Sequence, residues 1–335
     1  MTTLAIIGGG ITGRSLLYNL AKEKKRFTSI HVFNSDSFAP ACSRSSTAVV
    51  AKRGVSAGHS QLGDLLAKGF EDFQAHVREA APPGVSSLLQ LSVATKKLEA
   101  FHARFPQAVQ ATEAAFLKLR QQASICLEEA FHINPPVYLE WLLRESERTL
   151  PIVLHEDLVM STEESGERIS IRTLNSRVPL IVDQVVFAGG VQNSFWKGLL
   201  PDPAGVAAKT VPGSYYQFQN IELPCPSFSL TFDGENLIYS SELNRLLVGS
   251  TSNVSFCQLP PTEDLVGIYR RFQQRLELEL PDLAAGVIKT GVREKARRRE
   301  PYVVSAGRTF FIGGMYKNGF TLSLSLTRNF SCRLP

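Results

Sequence analysis

The sequence has few cysteines and no long apolar run. Its 335 residues include five cysteines (Cys42, Cys126, Cys225, Cys257 and Cys332), and no two of them form a Cys-x-x-Cys pair. This spacing argues against a zinc site and against a disulfide framework. No segment approaches the length of a membrane-spanning run, and the amino terminus lacks a basic flank and a cleavage site. We therefore expect a soluble, cytoplasmic protein that does not contact a membrane.

The composition is that of an ordinary globular protein. Hydrophobic residues make up 44% of the chain and charged residues 20%, which excludes a disordered chain and a fibrous repeat. The length allows about two domains, and one of them could be inserted into the other. The net charge of +5 points mildly to anionic partners. Basic residues are concentrated between Arg293 and Arg299, where five of seven positions are Lys or Arg.

The chain opens with the pattern of a βαβ unit. Residues 4–7 form a short apolar run that ends in glycine, which is typical of a buried parallel strand. Residues 11–25 place Leu17, Leu20 and Ala21 at helical spacing and gather lysines in the last turn. Residues 30–33 are predicted to form the second strand. The pattern indicates one complete βαβ unit of about 30 residues.

Helical and strand patterns alternate along the rest of the chain. Apolar spacing predicts helices at residues 62–77, 113–131, 137–149 and 262–278, and a last helix after Gly314. Strands are predicted within residues 151–182, 185–188, 214–218, 228–232, 246–248, 287–289 and 310–312. Strands that run into glycines occur at the start, middle and end. We therefore expect one nucleotide-binding domain built from separated pieces, with the sheet-rich middle inserted.

A glycine-rich loop lies between the first predicted strand and the first predicted helix. Residues 8–13 read GGGITG and fit the pattern G-x-G-x-x-G. Gly8 permits a tight turn, Gly10 lets the backbone approach a pyrophosphate, and Gly13 lets the helix pack against the strand. The free amides of the helix bind the phosphate charge. The motif in this position predicts a bound dinucleotide.

The residue expected to bind the ribose departs from this motif. A dinucleotide-binding unit usually carries an acidic residue about 20 positions after the glycines, and this position is Asn34. An amide makes two hydrogen bonds but lacks the charge of a carboxylate, a difference of about 1 kcal/mol. Asp36 lies two residues further on and is either a substitute ligand or a solvated turn residue.

Six segments, taken in order, resemble the D-amino-acid oxidase family of flavoproteins, particularly its glycine oxidase and amine oxidase members. They are residues 8–13, 42–48 (CSRSSTA), 183–190 (DQVVFAGG), 246–251 (LLVGST), 290–293 (TGVR) and 313–319 (GGMYKNG). The resemblance implies an α/β fold whose Rossmann-like FAD-binding domain is assembled from residues 1–80, 135–205 and 285–335. It also implies an inserted α+β substrate domain with an antiparallel sheet, made of residues 81–134 and 206–284.

The resemblance implies noncovalently bound FAD and no metal. The adenosine end would lie on the glycine loop and the flavin ring beneath the inserted sheet. The hydroxyl-rich residues 43–47 suit contacts with phosphate and flavin, and residues 317–321 would begin a helix whose positive end favours the reduced flavin. The implied cofactor-binding residues are Gly8, Gly10, Ile11, Thr12, Gly13, Asn34, Ser43, Arg44, Ser45, Ser46, Thr47, Ala188, Gly189, Gly190, Gly314, Lys317, Asn318, Gly319, Phe320 and Thr321.

Arg293 is the residue that the resemblance assigns to a small-molecule substrate. In this family the arginine of the Gly-x-Arg step binds an amino-acid carboxylate, for which a planar guanidinium is suited. Tyr239 and Tyr216 are further candidate pocket residues, and His59 is a candidate near the flavin. The implied reaction oxidises a primary or secondary amine to an imine by hydride transfer to flavin N5, followed by reoxidation with dioxygen. Substrate placement would be the main catalytic contribution of the protein.

Three departures from the family pattern leave two other functions open. Asn34 replaces the ribose-binding acid, valines at 49 and 50 stand where glycine is usual, and residues 297–299 are all arginine. The basic run at 293–299 is either a solvated loop or a contact for RNA phosphates. One alternative function is a tRNA-modifying amine oxidase that acts on a carboxymethylaminomethyl-uridine. The other is a noncatalytic or partner-coupled flavoprotein.

Overall fold

The structure is a computed structural model that describes residues 2–35, 42–52, 58, 60–199, 208–252 and 262–334. The helices in this part of the chain are α1 Ile11–Lys22, α2 Gln61–Ala80, α3 Leu98–Arg104, α4 Pro135–Glu147, α5 Thr262–Arg275 and α6 Gly319–Ser331. The strands are β1 Thr2–Ile7, β2 Phe27–Asn34, β3 Val49–Ala51, β4 Val85–Ala94, β5 Val109–Ala114, β6 Leu117–Ile133, β7 Ile152–Glu156, β8 Val159–Ser165, β9 Arg168–Thr173, β10 Leu180–Val182, β11 Gln184–Phe187, β12 Ala208–Gln219, β13 Phe228–Phe232, β14 Glu235–Ser240, β15 Arg245–Gly249, β16 Val287–Ala296, β17 Tyr302–Ala306 and β18 Thr309–Gly313.

A six-stranded sheet collects strands from distant parts of the chain. Its order is β17-β18-β11-β1-β2-β7. β1 pairs in parallel with β2 and β11, β2 pairs in parallel with β7, and β11 pairs in parallel with β18. β17 adds an antiparallel edge strand. The expected assembly of a Rossmann-like sheet from separated segments is confirmed.

Both faces of this sheet are buried, as an apolar run such as β1 requires. Leu4 and Ile6 pack toward the helical layer that includes α1 and the end of α6. Ala5 and Ile7 point the other way and pack against the small sheet formed by β8, β9 and β10. Because successive side chains alternate across a strand, β1 joins the two layers.

A nine-stranded sheet carries the second large core. Its main path is β16-β12-β15-β14-β13-β4-β6-β3, with β5 paired to β6. One face packs on α5 through side chains such as Phe218, Phe228 and Phe272. The opposite face, which we call the inner face, carries Tyr215, Ile238 and Leu247. β3 and β16 belong to this sheet although both come from segments predicted to build the FAD-binding domain.

The nine-stranded sheet curls toward its inner face. Arg245 Nη2 on β15 lies 3.3 Å from His132 Nε2 on β6. Three strands separate β15 from β6 along the sheet, a distance of roughly 19 Å in a flat sheet. The contact therefore requires strong curvature, and the inner face is the concave one.

The helix predicted at residues 113–131 is wrong. Residues 109–114 and 117–133 form β5 and β6. Leu117 and Leu119 are buried whereas Lys118 and Arg120, which alternate with them, are exposed; this is the two-residue period of a strand. Residues 124–133 of β6 pair with β4, from Val85–Ile133 to Ala94–Ser124, and this pairing overrides the helix preference of the glutamates and alanine in this stretch.

The other predicted helices and strands are confirmed, with ends that shift by up to seven residues. Among the described residues, none of the helices combines the length and apolarity needed to cross a bilayer.

Candidate functional site

The glycine loop joins β1 to α1 through a turn that admits little besides glycine. Gly8 has φ of +124°, a conformation that strains other residues. A Cβ on Gly13 would collide with the carbonyl oxygen of Gly8 and lie 3.3 Å from Cγ2 of Ile6. The absence of side chains at these two positions lets α1 begin directly against β1.

The first turn of α1 directs backbone amides toward a hydroxyl-rich segment. Ser43 Oγ accepts a hydrogen bond from the amide of Ile11 at 3.1 Å, and the same oxygen lies 3.1 Å from the position of a Cβ on Gly10. The first amides of a helix lack partners within the helix, and residues 11–14 contain no acid. This end of α1 is suited to an anion.

Asn34 ends β2 and lies beside the glycine loop. A Cβ placed on Gly9 would be 2.7 Å from Asn34 Oδ1. Asn34 Nδ2 donates to Glu156 Oε2 at 3.2 Å, and the two residues are register partners on β2 and β7. A carboxylate is therefore present here, although it comes from the neighbouring strand. The alternative ribose ligand, Asp36, lies outside the described residues.

A cavity of about 550 Å³ connects the glycine loop to the inner face of the nine-stranded sheet. Sixteen of the twenty predicted cofactor-binding residues line it, namely Gly8, Gly10, Ile11, Thr12, Asn34, Ser43, Ser45, Ser46, Thr47, Ala188, Gly189, Gly190, Gly314, Lys317, Gly319 and Phe320. The four that are not part of its lining are Gly13, Arg44, Asn318 and Thr321. Its volume is within the range of ligand sites.

The amino-terminal end of α6 forms another wall of this cavity. Asn318 occupies the cap position without a side-chain hydrogen bond to the helix, and Gly319 and Phe320 face the cavity. The free amides and the dipole make this end of α6 positive. Lys317 adds a positive side chain at the same edge.

Arg293 lines the cavity from β16. Its guanidinium packs over Gly213 of β12, where a Cβ would collide with Nη2. Nη2 lies 3.3 Å from Ser250 Oγ and Nη1 lies 3.5 Å from Ser252 Oγ. Among the described residues no carboxylate lies within ion-pair distance of this guanidinium. It is a fixed positive group that faces open space.

Tyr239 and Tyr216 do not reach the cavity. Both pack in the apolar core between the nine-stranded sheet and α5, and the Tyr239 hydroxyl accepts a hydrogen bond from the amide of Leu223. Tyr215, next to Tyr216 but on the inner face, lines the cavity instead. Burial raises the pKa of Tyr215, which keeps its hydroxyl neutral and able to donate.

Comparison with known proteins identifies the family. A family model described as DAO, FAD dependent oxidoreductase, matches residues 3–328. The chain belongs to the FAD-dependent oxidoreductases. No curated protein matches it significantly.

Solved structures of this FAD-dependent oxidoreductase fold superpose on the whole chain. Glycine oxidase from Geobacillus kaustophilus has a TM-score of 0.74 at 19% identity, covering 100% of this chain and 95% of its own. Glycine oxidase from Bacillus cereus has a TM-score of 0.78 at 16% identity, with coverages of 99% and 94%. Dithionite-reduced L-α-glycerophosphate oxidase from Mycoplasma pneumoniae with FAD bound has a TM-score of 0.79 at 15% identity, with coverages of 100% and 95%. At these identities the likeness shows the fold.

The residues of this oxidoreductase fit FAD, the cofactor of its family. The turn at Gly8 and Gly13 has no side chains, and together with the amides of α1 it suits a diphosphate at one end of the site. The positive end of α6 suits an electron-accepting ring at the other end. A second cavity, of about 260 Å³, shares Ser35 and Gln192 with the first and is lined by Phe33 and other apolar groups. It extends the site beyond the end of β2.

A buried polar network holds the glycine turn that precedes α6. Glu294 Oε1 accepts from the Tyr302 hydroxyl at 2.7 Å, and its Oε2 accepts from the amide of Gly314 at 2.8 Å. Asn193 Nδ2 donates to the Tyr302 hydroxyl at 3.1 Å, and Asn193 Oδ1 accepts from the amide of Gly189. This network is not predictable from sequence patterns, because its members are distant along the chain.

The basic run begins on β16 and ends at the surface. Lys295 pairs in register with Lys209 of β12 and lies 5.6 Å from the ring centre of Tyr316. Arg297 and Arg299 are exposed. His59, the other candidate near the flavin, lies outside the described residues. No cluster of three metal-binding side chains occurs in the part of the chain that the structure describes.

Proposed function

We propose that this protein oxidises the amine of an amino acid, with Arg293 binding the substrate carboxylate. The observation that carries the proposal is the guanidinium of Arg293, which lines the cavity without a carboxylate partner among the described residues. A half-buried cation of this kind is stabilised when an anion binds it. Amino-acid oxidation in the solved glycine oxidases agrees with such a ligand.

The amino-terminal part of the site would hold the nucleotide end of FAD. The amides at the start of α1 would bind the diphosphate, and Ser43 holds the first of these amides in place. Asn34, with Glu156 beside it, would bind the ribose hydroxyls. The cavity beyond Ser35, with Phe33 in its wall, offers an apolar space for the base.

FAD, when bound, would supply a two-electron acceptor for a hydride from the substrate Cα; water would hydrolyse the imine that is left, and dioxygen would reoxidise the flavin and form hydrogen peroxide. The chain contributes placement. Arg293 fixes the carboxylate, and the neutral hydroxyl of Tyr215 is available to donate a hydrogen bond to it. The positive end of α6 and Lys317 stabilise negative charge at the edge of the cavity they face.

The test is flavin bleaching by amino acids without oxygen. Purified protein is loaded with FAD and mixed anaerobically with glycine, sarcosine, D-amino acids or cyclic imino acids, and the flavin absorbance is followed. We expect bleaching by at least one of these compounds and peroxide when air is added. Arg293→Ala should raise the half-saturating concentration of that substrate about 100-fold or more, because a paired charged contact is lost.

Arg297→Ala is the matched control, since Arg297 belongs to the same basic run but is exposed and does not line the cavity. Equal effects of the two variants would remove Arg293 from the substrate site. Bleaching by tRNA but by no free amine would instead support an RNA-borne substrate read by the basic run. No bleaching by any amine or RNA would support a partner-coupled flavoprotein.

A further inference from the structure

Asn236 presents an unused hydrogen-bond donor to the main cavity, the one of about 550 Å³. The residue lies on β14 and lines this cavity from the inner face of the sheet, the face that Ile238 shares two residues further on. Asn236 Oδ1 accepts a hydrogen bond from Thr231 Oγ1 at 2.9 Å. Asn236 Nδ2 donates to no group among the described residues. A donor of this kind, at the wall of an open space, is available to a ligand.

A chain of hydrogen bonds fixes which end of the Asn236 amide faces the cavity. The carbonyl oxygen of Leu91 can only accept, and it does so from Gln90 Nε2 at 3.0 Å. The same nitrogen donates to Thr231 Oγ1 at 3.2 Å. The Thr231 hydroxyl has a single proton, which it donates to Asn236 Oδ1. Because this chain ends on the oxygen of the amide, the nitrogen is the end left for the cavity.

Asn236 lies within reach of the same small ligand as Arg293. Gly249 of β15 is the register partner of Asn236 on one side and of Tyr215 on the other, so the backbones at Asn236 and Gly249 are about 5 Å apart. Ser250 follows Gly249 and lines the cavity, and its Oγ lies 3.3 Å from Arg293 Nη2. The concave curvature of the inner face draws these side chains together. One molecule of roughly the size of an amino acid can therefore contact both Asn236 and Arg293.

The surroundings of Asn236 suit an uncharged acceptor. Asn236 itself carries no charge, and the two arginines near its neighbour Glu235, Arg271 and Arg275, are engaged in ion pairs with that acid. A carboxylate placed beside Asn236 would lose its water without gaining a cation. A carbonyl or ether oxygen is desolvated at lower cost and accepts the same hydrogen bond. This donor therefore favours a neutral oxygen over both a carboxylate and an alkyl group.

We propose that Asn236 selects substrates that carry an uncharged hydrogen-bond acceptor several bonds from the carboxylate. The inference rests on the proposed function, in which Arg293 binds that carboxylate. A substrate with an alkyl group at this place would leave the Nδ2 donor desolvated and unpaired, and a site built to hydrogen-bond a polar group discriminates against such an analogue. The substrate class is then an amino acid whose side chain or nitrogen substituent contains a carbonyl, ether or hydroxyl oxygen.

The test compares ligands that need no turnover. The FAD-loaded protein is titrated with pairs of carboxylates of similar shape, of which one member carries an acceptor oxygen: methoxyacetate and butyrate, 3-methoxypropanoate and pentanoate, and levulinate and 4-methylpentanoate. Binding is followed by the flavin spectrum. The ratio of the two dissociation constants in a pair is compared between proteins, which cancels the greater hydrophobicity of the alkyl member. We expect Asn236→Leu to shift this ratio against the oxygen-bearing ligand by about five-fold or more for at least one pair.

A second variant keeps the proposal testable if Asn236→Leu does not fold. Asn236→Asp still accepts from Thr231 and puts a carboxylate oxygen in the place of Nδ2. It should weaken the oxygen-bearing member of a pair more than the alkyl member, and it should tighten binding of 4-aminobutyrate relative to pentanoate. A purely structural role of Asn236 would change both members of a pair alike. Asn329→Leu is the control, because Asn329 is exposed on α6 and does not line the cavity.

The outcomes separate the role of Asn236 from the proposed function. Equal ratios in wild type and Asn236→Leu for every pair, or an Asn236→Asp variant that keeps the wild-type order of ligands, would overturn the role of Asn236. Arg293→Ala should weaken both members of each pair and leave their ratio unchanged. Carboxylates that fail to bind wild type, or that bind Arg293→Ala equally well, would instead overturn the carboxylate site and with it the proposed function.

Discussion

At the scale of single residues, the expected ribose-binding position lacks an acid on β2, and the adjacent strand β7 provides a carboxylate beside it. Asn34 stands where an acid is usual, but its side-chain amide donates to Glu156 Oε2 on the adjacent strand. Together the two side chains present an amide and a carboxylate at the end of the parallel strands, where nucleotides bind in such sheets.

We predict that Glu156→Gln weakens FAD binding about five-fold, because one charge-assisted contact is worth about 1 kcal/mol at an exposed site. The dissociation constant can be measured by quenching of FAD fluorescence. Glu163→Gln, an acid farther along on β8, should leave the constant unchanged. The same constant for wild type and Glu156→Gln would show that Asn34 acts without its neighbour.

The residues of the site differ in how far the sequence could predict them. Gly8, Gly10 and Gly13 were predictable because their spacing reflects a local turn that ends a strand and begins a helix. Tyr216 is predicted as a pocket residue, but its neighbour Tyr215 lines the cavity instead. Adjacent strand residues face opposite sides, and the sequence alone does not say which side is the cavity. Only the pairing of β12 with β15 and β16 decides this.

At the scale of elements, the buried network joins β16, β17, β18 and the segment Gly190–Leu199. Tyr302 is central to it, because its hydroxyl donates to Glu294 and accepts from Asn193. Burial raises the pKa of Tyr302, so the hydroxyl keeps its proton as a donor. The carboxylate of Glu294 in turn fixes the amide of Gly314.

We predict that Tyr302→Phe lowers the free energy of unfolding by about 1–3 kcal/mol, because it removes the buried hydroxyl that donates to Glu294 Oε1 and accepts from Asn193 Nδ2. Urea unfolding in the absence of ligand measures the change. Tyr316→Phe should alter stability by less than about 0.5 kcal/mol, since the Tyr316 ring packs between two lysines at a more open position. A loss in Tyr302→Phe no larger than in Tyr316→Phe would contradict the role of the network.

The strand β6 shows why element type was not fully predictable. Its glutamates and alanine at residues 128–130 favour a helix locally, and the two-residue period is clear only between Leu117 and Arg120. The long antiparallel pairing with β4 makes this segment a strand. Pairing between distant segments cannot be predicted from a short window of sequence.

At the scale of the whole molecule, two buried histidines make stability depend on pH. Burial lowers the pKa of His76 to about 4 and that of His132 to about 3, whereas an unfolded histidine titrates near 6.5. Below pH 6.5 the unfolded chain therefore binds more protons than the folded protein. The stabilisation from the neutral histidines is complete above this pH and decreases as the pH falls toward 4.

We predict that the free energy of unfolding falls by roughly 3 to 4 kcal/mol between pH 7 and pH 5 from these two groups. Thermal unfolding at a series of pH values measures the trend. Replacing both histidines with glutamine should flatten the curve over this range, whatever it does to stability at pH 7. A double variant with an unchanged slope would assign the pH dependence to other groups.

The position of α6 has a consequence for biosynthesis. This helix packs against α1 and α2 and supplies one wall of the main cavity, yet every other described helix and strand leaves the ribosome before it. In a nascent chain whose glycine loop has already left the ribosome, the main cavity cannot form completely until residues 319–331 emerge. Only chains translated past this point would therefore bind FAD and take on its yellow colour. A truncated product that lacks α6 would be open to proteolysis.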